Sequence, residues 1–163
     1  MTAPRTHIPR IAIVTCSDTR SFEEDTAGAA LEELIRAQGW EAIDRVLVHD
    51  DIDEISAAIV RATDELDADV VLTCGGTGLS LRDVTPEATQ AVCERNVPGI
   101  AEAMRVHSLA ITPHAMLSRA LCMQRGRHLV INLPGSEKAA RENWDGLIPA
   151  LPHAISMMAG EGH

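Results

Sequence analysis

The sequence predicts an α/β protein of three layers, a largely parallel central sheet with helices on both faces. Three observations predict it. Short apolar runs, at Ile11 to Thr15, Val70 to Leu72 and His128 to Leu133, have the length and continuity of strands buried on both sides. Between the runs lie amphipathic stretches of ten or more residues, long enough for the right-handed crossovers that parallel strands require. The glycine and serine motifs follow the ends of such runs, where folds of this class bind their ligands.

Taken in order, Ile11 to Thr15 is the first and central strand, ended by Ser17-Asp18. Asp25-Thr26-Ala27-Gly28 introduces a helix through about Gln38, with Leu31, Leu34 and Ile35 on one face and Gly39 at its end. Trp40 to His49 is a second strand. Asp50-Asp51 follows, then a helix from about Asp53 to Leu66 that turns Ile55, Ile59 and Val60 inward. Asp69 to Thr73 is the third strand. Thr85-Pro86-Glu87 opens another helix, with Thr as cap, Pro in the first position and an acid in the first turn. Helices are expected over Pro86 to Arg95 and Pro98 to His107, with a shorter piece over Pro113 to Ala120. His128 to Leu133 is the last strand, and it ends in Pro134-Gly135-Ser136. Helices from Glu137 to about Asn143 and from Leu147 to Ala159 complete the order. Residues 1–10 are expected to form a loose tail and 11–163 a single domain; no repeat or linker interrupts it.

Composition narrows the function. A net charge of −10 argues against a nucleic-acid backbone as partner. Phe22, Trp40 and Trp144 are too few to build a base-stacking platform. No apolar run approaches the ~20 residues of a membrane span, and MTAPRTHIPR lacks the apolar stretch of a signal peptide. Cys16, Cys74, Cys93 and Cys122 are widely spaced, which fits reduced thiols in a cytoplasmic protein. His107 and His114 lack metal-binding spacing, and His114 is expected in a pocket wall. Arg82, Arg105, Arg119 and Lys138 can make a local positive pocket on the acidic body.

The stretch from Asp69 to Thr89, DVVLTCGGTGLSLRDVTPEAT, carries the chemistry. Gly75-Gly76-Thr77-Gly78 after a strand lets backbone N–H groups approach an anion, because no Cβ stands in the way. A dinucleotide fingerprint begun at Gly76 would need glycine where Leu81 stands, and a P-loop needs a lysine, the only one being Lys138. By itself the GGTG run fits a turn as well as an anion cradle. Asp83 on the same connection repels a phosphate unless a magnesium ion sits between them.

GGTGLSLRDVTPEAT, together with SDTRSFEEDTAG, TPHAMLSRA and NLPGSEKA, resembles the MogA/MoaB family of molybdenum cofactor biosynthesis, a fold shared with the gephyrin G domain. The four blocks stand in family order from about Ile11 to about Leu151. The resemblance implies transfer of AMP from ATP to the terminal phosphate of molybdopterin, with pyrophosphate released. It implies Asp50 and Asp83 as catalytic acids and magnesium ligands, with Asp51 the alternative one residue along. It places Ser17, Asp18, Gly75, Gly76, Thr77, Gly78, Pro134, Gly135, Ser136 and Lys138 at the nucleotide or substrate, and Ser108, Ser118 and Arg119 at the pterin. It further implies a homotrimer or dimer of trimers and a MoeA-type partner that inserts molybdate. The other readings are a catalytically silent MoaB-type paralogue that binds molybdopterin or scaffolds, a CinA-like pyrophosphatase and, weakest, an NAD dehydrogenase.

Overall fold

A computed structural model describes residues 7–161. Six strands form one sheet: β1 (Arg10–Cys16), β2 (Glu41–Val48), β3 (Val70–Cys74), β4 (Arg95–Asn96), β5 (Cys122–Arg125) and β6 (His128–Leu133). Their order is β2-β1-β3-β6-β5-β4, parallel from β2 to β6 and antiparallel beyond it. The helices are α1 (Thr26–Ala37), α2 (Ile52–Val60), α3 (Thr85–Val92), α4 (Pro98–Leu109), α5 (Glu137–Leu147) and α6 (Leu151–Met158).

Alternation along the central strands divides the core. Ile11, Ile13, Val70, Leu72, Ile131 and Leu133 face one side, where Leu31, Ile35, Trp144, Leu147 and Ile155 cover them. Ala12, Val14, Val71 and Val130 face the other, beneath Ile55, Ile59 and Ala88. Both faces are thus apolar, which is why these strands read as continuous hydrophobic runs. The connection after β1 leads to α1 on the first face, and that after β3 leads to α3 on the second. Their opposite departures open a crevice between the carboxyl ends of β1 and β3.

Several boundaries differ from the sequence reading. The first six residues of the expected tail lie outside the described residues. From His7 the chain is held, His7 Nε2 lying 2.8 Å from Asp69 Oδ2 and the Glu41 amide donating to the Pro9 carbonyl. The helix expected to end near Asn143 runs on to Leu147, because Trp144 and Leu147 are core residues and Trp144 meets Trp40 edge-on at 6.3 Å. Beyond α2, Arg61–Glu65 forms a π-helical turn in which the Thr63 hydroxyl back-bonds to Ile59 and Val60 carbonyls. The helix expected through Arg95 ends at Val92, and Arg95–Asn96 is a strand. The sheet also has a strand, β5, where none was expected. It is the first arm of a hairpin whose two-residue turn, Gly126-Arg127, puts Gly126 at φ +55°.

One buried polar residue ties these additions to the centre of the sheet. Asn132 is fully buried, and its amide nitrogen donates to Thr73 Oγ1 and Thr89 Oγ1, both at 2.9 Å. Its side-chain oxygen accepts the Leu121 amide at 3.1 Å, so β3, β6, α3 and the approach to β5 share one hub. All of its side-chain polar atoms are thereby satisfied, the condition under which a buried network rigidifies a core.

Candidate active site

The glycine loop lies in the crevice. Gly75 and Gly76 have φ of +101° and +69°, backbone conformations that L side chains rarely adopt. A Cβ on Gly75 would also stand 2.5 Å from the Cys16 carbonyl oxygen, so the loop lies directly against the end of β1. Thr85 does not cap α3 as expected; Val84 occupies the cap position without a side-chain bond. The buried Thr85 hydroxyl instead donates to the Gly75 carbonyl at 2.8 Å, and its amide donates to the Gly76 carbonyl. The helix start therefore fastens the loop.

A cleft of about 320 Å³ forms between Ser17, Arg20, Asp50, the Gly75-to-Gly78 loop, Asp83 and Gly135. Cys16 is at its floor, with Cys74 buried next to it in the sheet. Burial pushes both thiols up to about 12, so they are packing groups rather than nucleophiles. Asp50 and Asp18 hold each other reciprocally. The Asp18 amide donates to Asp50 Oδ2, and the Asp50 amide donates to Asp18 Oδ1, each at 3.0 Å. Asp50 Oδ1 is buried and accepts no hydrogen bond from the described residues. Burial raises the Asp50 carboxyl above its ordinary value, the Asp18 amide opposes that, and the charges of Asp18 and Asp83 add to it. A carboxyl raised in the folded state destabilises the fold at neutral pH, and that penalty disappears as acid protonates it. Asp50 is thus held in a site unfavourable to its own charge.

Asp51, one residue on, has another task. Its side chain accepts the Glu54 amide at 3.0 Å as the N-cap of α2. Asp83 Oδ2 accepts the Ser80 amide at 3.1 Å. A Cβ on Gly76 would come within 3.3 Å of Asp50 Oδ1, and one on Gly78 within 2.9 Å of Asp83 Oδ2. Two carboxylates therefore border a glycine backbone, one with an unmatched buried oxygen. That donor set fits a hard divalent cation which takes one or two carboxylates and completes its shell with water and phosphate oxygens.

Beyond the loop a second pocket, about 250 Å³, shares Thr77 and Gly78 with the cleft. Its walls include Ser108, Ser118, His114, Leu117, Pro134 and Arg105. Ser108 Oγ is buried with no partner among the described residues, whereas Ser118 Oγ accepts the Ala120 amide. Arg105 donates to the Ala120 carbonyl at 2.8 Å and so fixes the Ser118 segment.

The remaining sequence candidates fall elsewhere. Arg119 does not point its charge into the pocket. Its amide, Nε and Nη2 donate to the carbonyls of Thr77, Gly78 and Asp83 at 2.8, 2.7 and 2.7 Å, and Nη1 pairs with Glu87. It clamps the glycine loop from behind. Ser136 caps α5 by accepting the Ala139 amide, while Gly135 beside it lines the cleft. Lys138 is exposed on α5 and lies 3.8 Å from Glu142. Arg20, which the sequence reading did not single out, lines the cleft and donates to the Gly135 carbonyl. Its place just after Ser17-Asp18 was the available signal.

The clamp leads to a prediction. Arg119→Ala should lower turnover about tenfold, because the loop carbonyls lose their donors and the cradle its shape. Arg119→Lys should recover little, since one ammonium cannot reproduce the planar fork. Steady-state kinetics on both variants checks this, and parent-like rates from Arg119→Ala would contradict it.

Residues 12–153 match the family model described as "Probable molybdopterin binding domain". The chain belongs to this family. Within the molybdopterin-binding family it is similar to a molybdopterin adenylyltransferase of Helicobacter pylori, 37% identical over 92% of this chain and 88% of that one. It is 42% identical to molybdenum cofactor biosynthesis protein B of Bacillus cereus, over 88% and 87% of the two chains. Among solved structures, the molybdopterin biosynthesis enzyme MoaB of Thermus thermophilus superposes with a TM-score of 0.87 at 42% identity, covering 94% of this chain and 98% of that one.

Proposed function

We propose that this protein is a molybdopterin adenylyltransferase. An oxygen of the terminal phosphate of molybdopterin attacks the α-phosphorus of ATP, the bond to the β-phosphate breaks, and pyrophosphate leaves. The observation that carries the reading is the glycine loop, bordered on one side by Asp50 and Asp83 and shared on the other with a second pocket. Two anionic groups can thus meet over one backbone cradle, each tail in its own pocket. The relative named for this activity supports the same reading.

The attacking phosphate is largely ionised at neutral pH, since its second pKa is about 6, so the step needs no general base. What it needs is positioning of two anions and compensation of charge as the transition state forms. The loop amides orient the phosphates. Arg20 and Arg82 supply positive charge near the cleft, and the Ser108 hydroxyl offers the pterin a polar contact. Asp50 and Asp83 would hold a magnesium ion, which on binding supplies neutralisation of the crowded phosphates. Purified protein with ATP, molybdopterin and magnesium should release pyrophosphate only when molybdopterin is present. Release that is indifferent to molybdopterin would favour a pyrophosphatase instead.

The assembly belongs to the same proposal, as do a cytoplasmic setting and a downstream MoeA-type partner that inserts molybdate. Val106 and Leu109 on α4, Ile111 just beyond it, and Met116 and Leu117 on the 3₁₀ turn Pro113–Leu117 are exposed apolar side chains in one stretch of chain. Such a surface favours association of copies, and closed cyclic assembly is the common outcome. Light scattering at micromolar concentration should give the mass of a homotrimer or a dimer of trimers; a monomer mass would refute it.

A further inference from the structure

The tip of the glycine loop carries a cation whose partner is a carboxylate of the site itself. Residues 79–82 are exposed, and Arg82 reaches from there to Asp18. Its Nε lies 2.9 Å and its Nη2 2.8 Å from the same oxygen, Asp18 Oδ2. The other oxygen of Asp18 takes the Asp50 amide, so the guanidinium is one link from the carboxylate that borders the cradle. Arg82 is two-thirds exposed and its only side-chain partner among the described residues is Asp18. By contrast Arg20 is tied to the Gly135 carbonyl, and the Arg119 side chain to the carbonyls of Gly78 and Asp83 and to Glu87 on α3. Of the three arginines, Arg82 alone is held only by an exposed ion pair, a kind of contact that is weak and readily exchanged.

We propose that Arg82 is a nucleotide-binding residue that rests on Asp18 and passes to the phosphates of ATP when the nucleotide enters. The inference rests on the adenylyltransferase reading of the cleft. A planar guanidinium grips phosphate oxygens through two parallel N–H bonds, which a single oxygen of Asp18 does not offer. An incoming polyphosphate also brings more negative charge than one carboxylate, so exchange follows the field. Asp18 thereby serves as a counter-charge that parks the arginine and, through its amide and Oδ1, positions Asp50. Competition between Asp18 and the nucleotide for one guanidinium has a signed consequence. Neutralising Asp18 should favour ATP, whereas in a purely structural latch it should harm ATP binding.

Calorimetric titration of ATP with magnesium tests this on the parent, Arg82→Gln, Arg82→Lys and Asp18→Asn, each first shown to unfold at the parent temperature. Arg82→Gln should weaken binding about tenfold, and Arg82→Lys should restore only part of it. Asp18→Asn, which keeps an oxygen for the Asp50 amide, should bind ATP a few-fold more tightly than the parent. If Arg82→Gln binds like the parent, the residue has no such role. If Asp18→Asn weakens binding as Arg82→Gln does, the pair is a structural latch and the exchange is refuted. A parent that binds no ATP overturns the adenylyltransferase reading itself, and this inference with it.

Discussion

Asp83→Asn should reduce adenylyl transfer about 10²–10³-fold while leaving the protein folded, equivalent to roughly 3–4 kcal/mol of lost transition-state stabilisation. Asp83 lies at the end of the glycine loop, its Oδ2 accepting the Ser80 amide and crowding the space where Gly78 lacks a side chain. An asparagine keeps an oxygen for Ser80 and nearly the same volume. What it loses is the charge, which under the proposed function would help hold a divalent cation beside the phosphates. Single-turnover rates and thermal unfolding, measured together, separate chemistry from folding. Activity within a few-fold of the parent would remove Asp83 from the mechanism.

Asp25→Ala should cost about 3–5 kcal/mol of stability, a large part of the 5–15 kcal/mol typical of a domain. The Asp25 side chain is completely buried. One oxygen accepts the Thr15 hydroxyl at 2.7 Å and the Arg45 Nη1 at 3.2 Å; the other caps α1 through the Gly28 amide at 2.9 Å. Arg45 is itself largely buried and lies over the Phe22 ring at 3.9 Å. Removing the carboxylate leaves a hydroxyl, a helix start and a buried guanidinium without their shared acceptor. Asp25→Asn should fall between, since it keeps the cap but not the charge. Denaturant unfolding measures both, and a change below about 1 kcal/mol for Asp25→Ala would show that Glu32, already 3.2 Å from Arg45 Nε, suffices to hold the guanidinium.

The parallel half of the fold was legible because β1, β3 and β6 are buried on both faces and apolar along most of their length, with Thr15, Thr73 and Asn132 as buried polar exceptions. β5 was not, because a four-residue strand ending in Gln124 and Arg125 has no apolar period to read, and β4 has only two residues. Gly126 was the one local sign of the hairpin. At the site, the glycine loop and the neighbouring Asp83 were singled out from residue type and spacing, whereas Asp50 was expected only from the family resemblance. The directions of side chains were not legible. Arg119 and Ser136 lie beside the pockets in sequence, yet one clamps the loop from behind and the other caps a helix. Thr85 is the same case: its type predicted a cap, but the carbonyl of Gly75, ten residues back in the chain, holds its hydroxyl. Asp50 and Asp51 were separable only by structure, which gives the cap to Asp51 and the cleft to Asp50.

That last distinction provides the most direct test that this cleft performs adenylyl transfer. ATP labelled in its α-phosphate, incubated with molybdopterin and magnesium, is followed for label in the pterin product with the parent, Asp50→Ala and Asp51→Ala. The structure predicts label transfer by the parent, loss of about 10²-fold or more in Asp50→Ala, and a rate within a few-fold of the parent in Asp51→Ala. Asp51→Ala should lose only about 1 kcal/mol of stability, as a missing helix cap does. No labelled pterin from the parent, or transfer by Asp50→Ala at the parent's rate, would contradict the account.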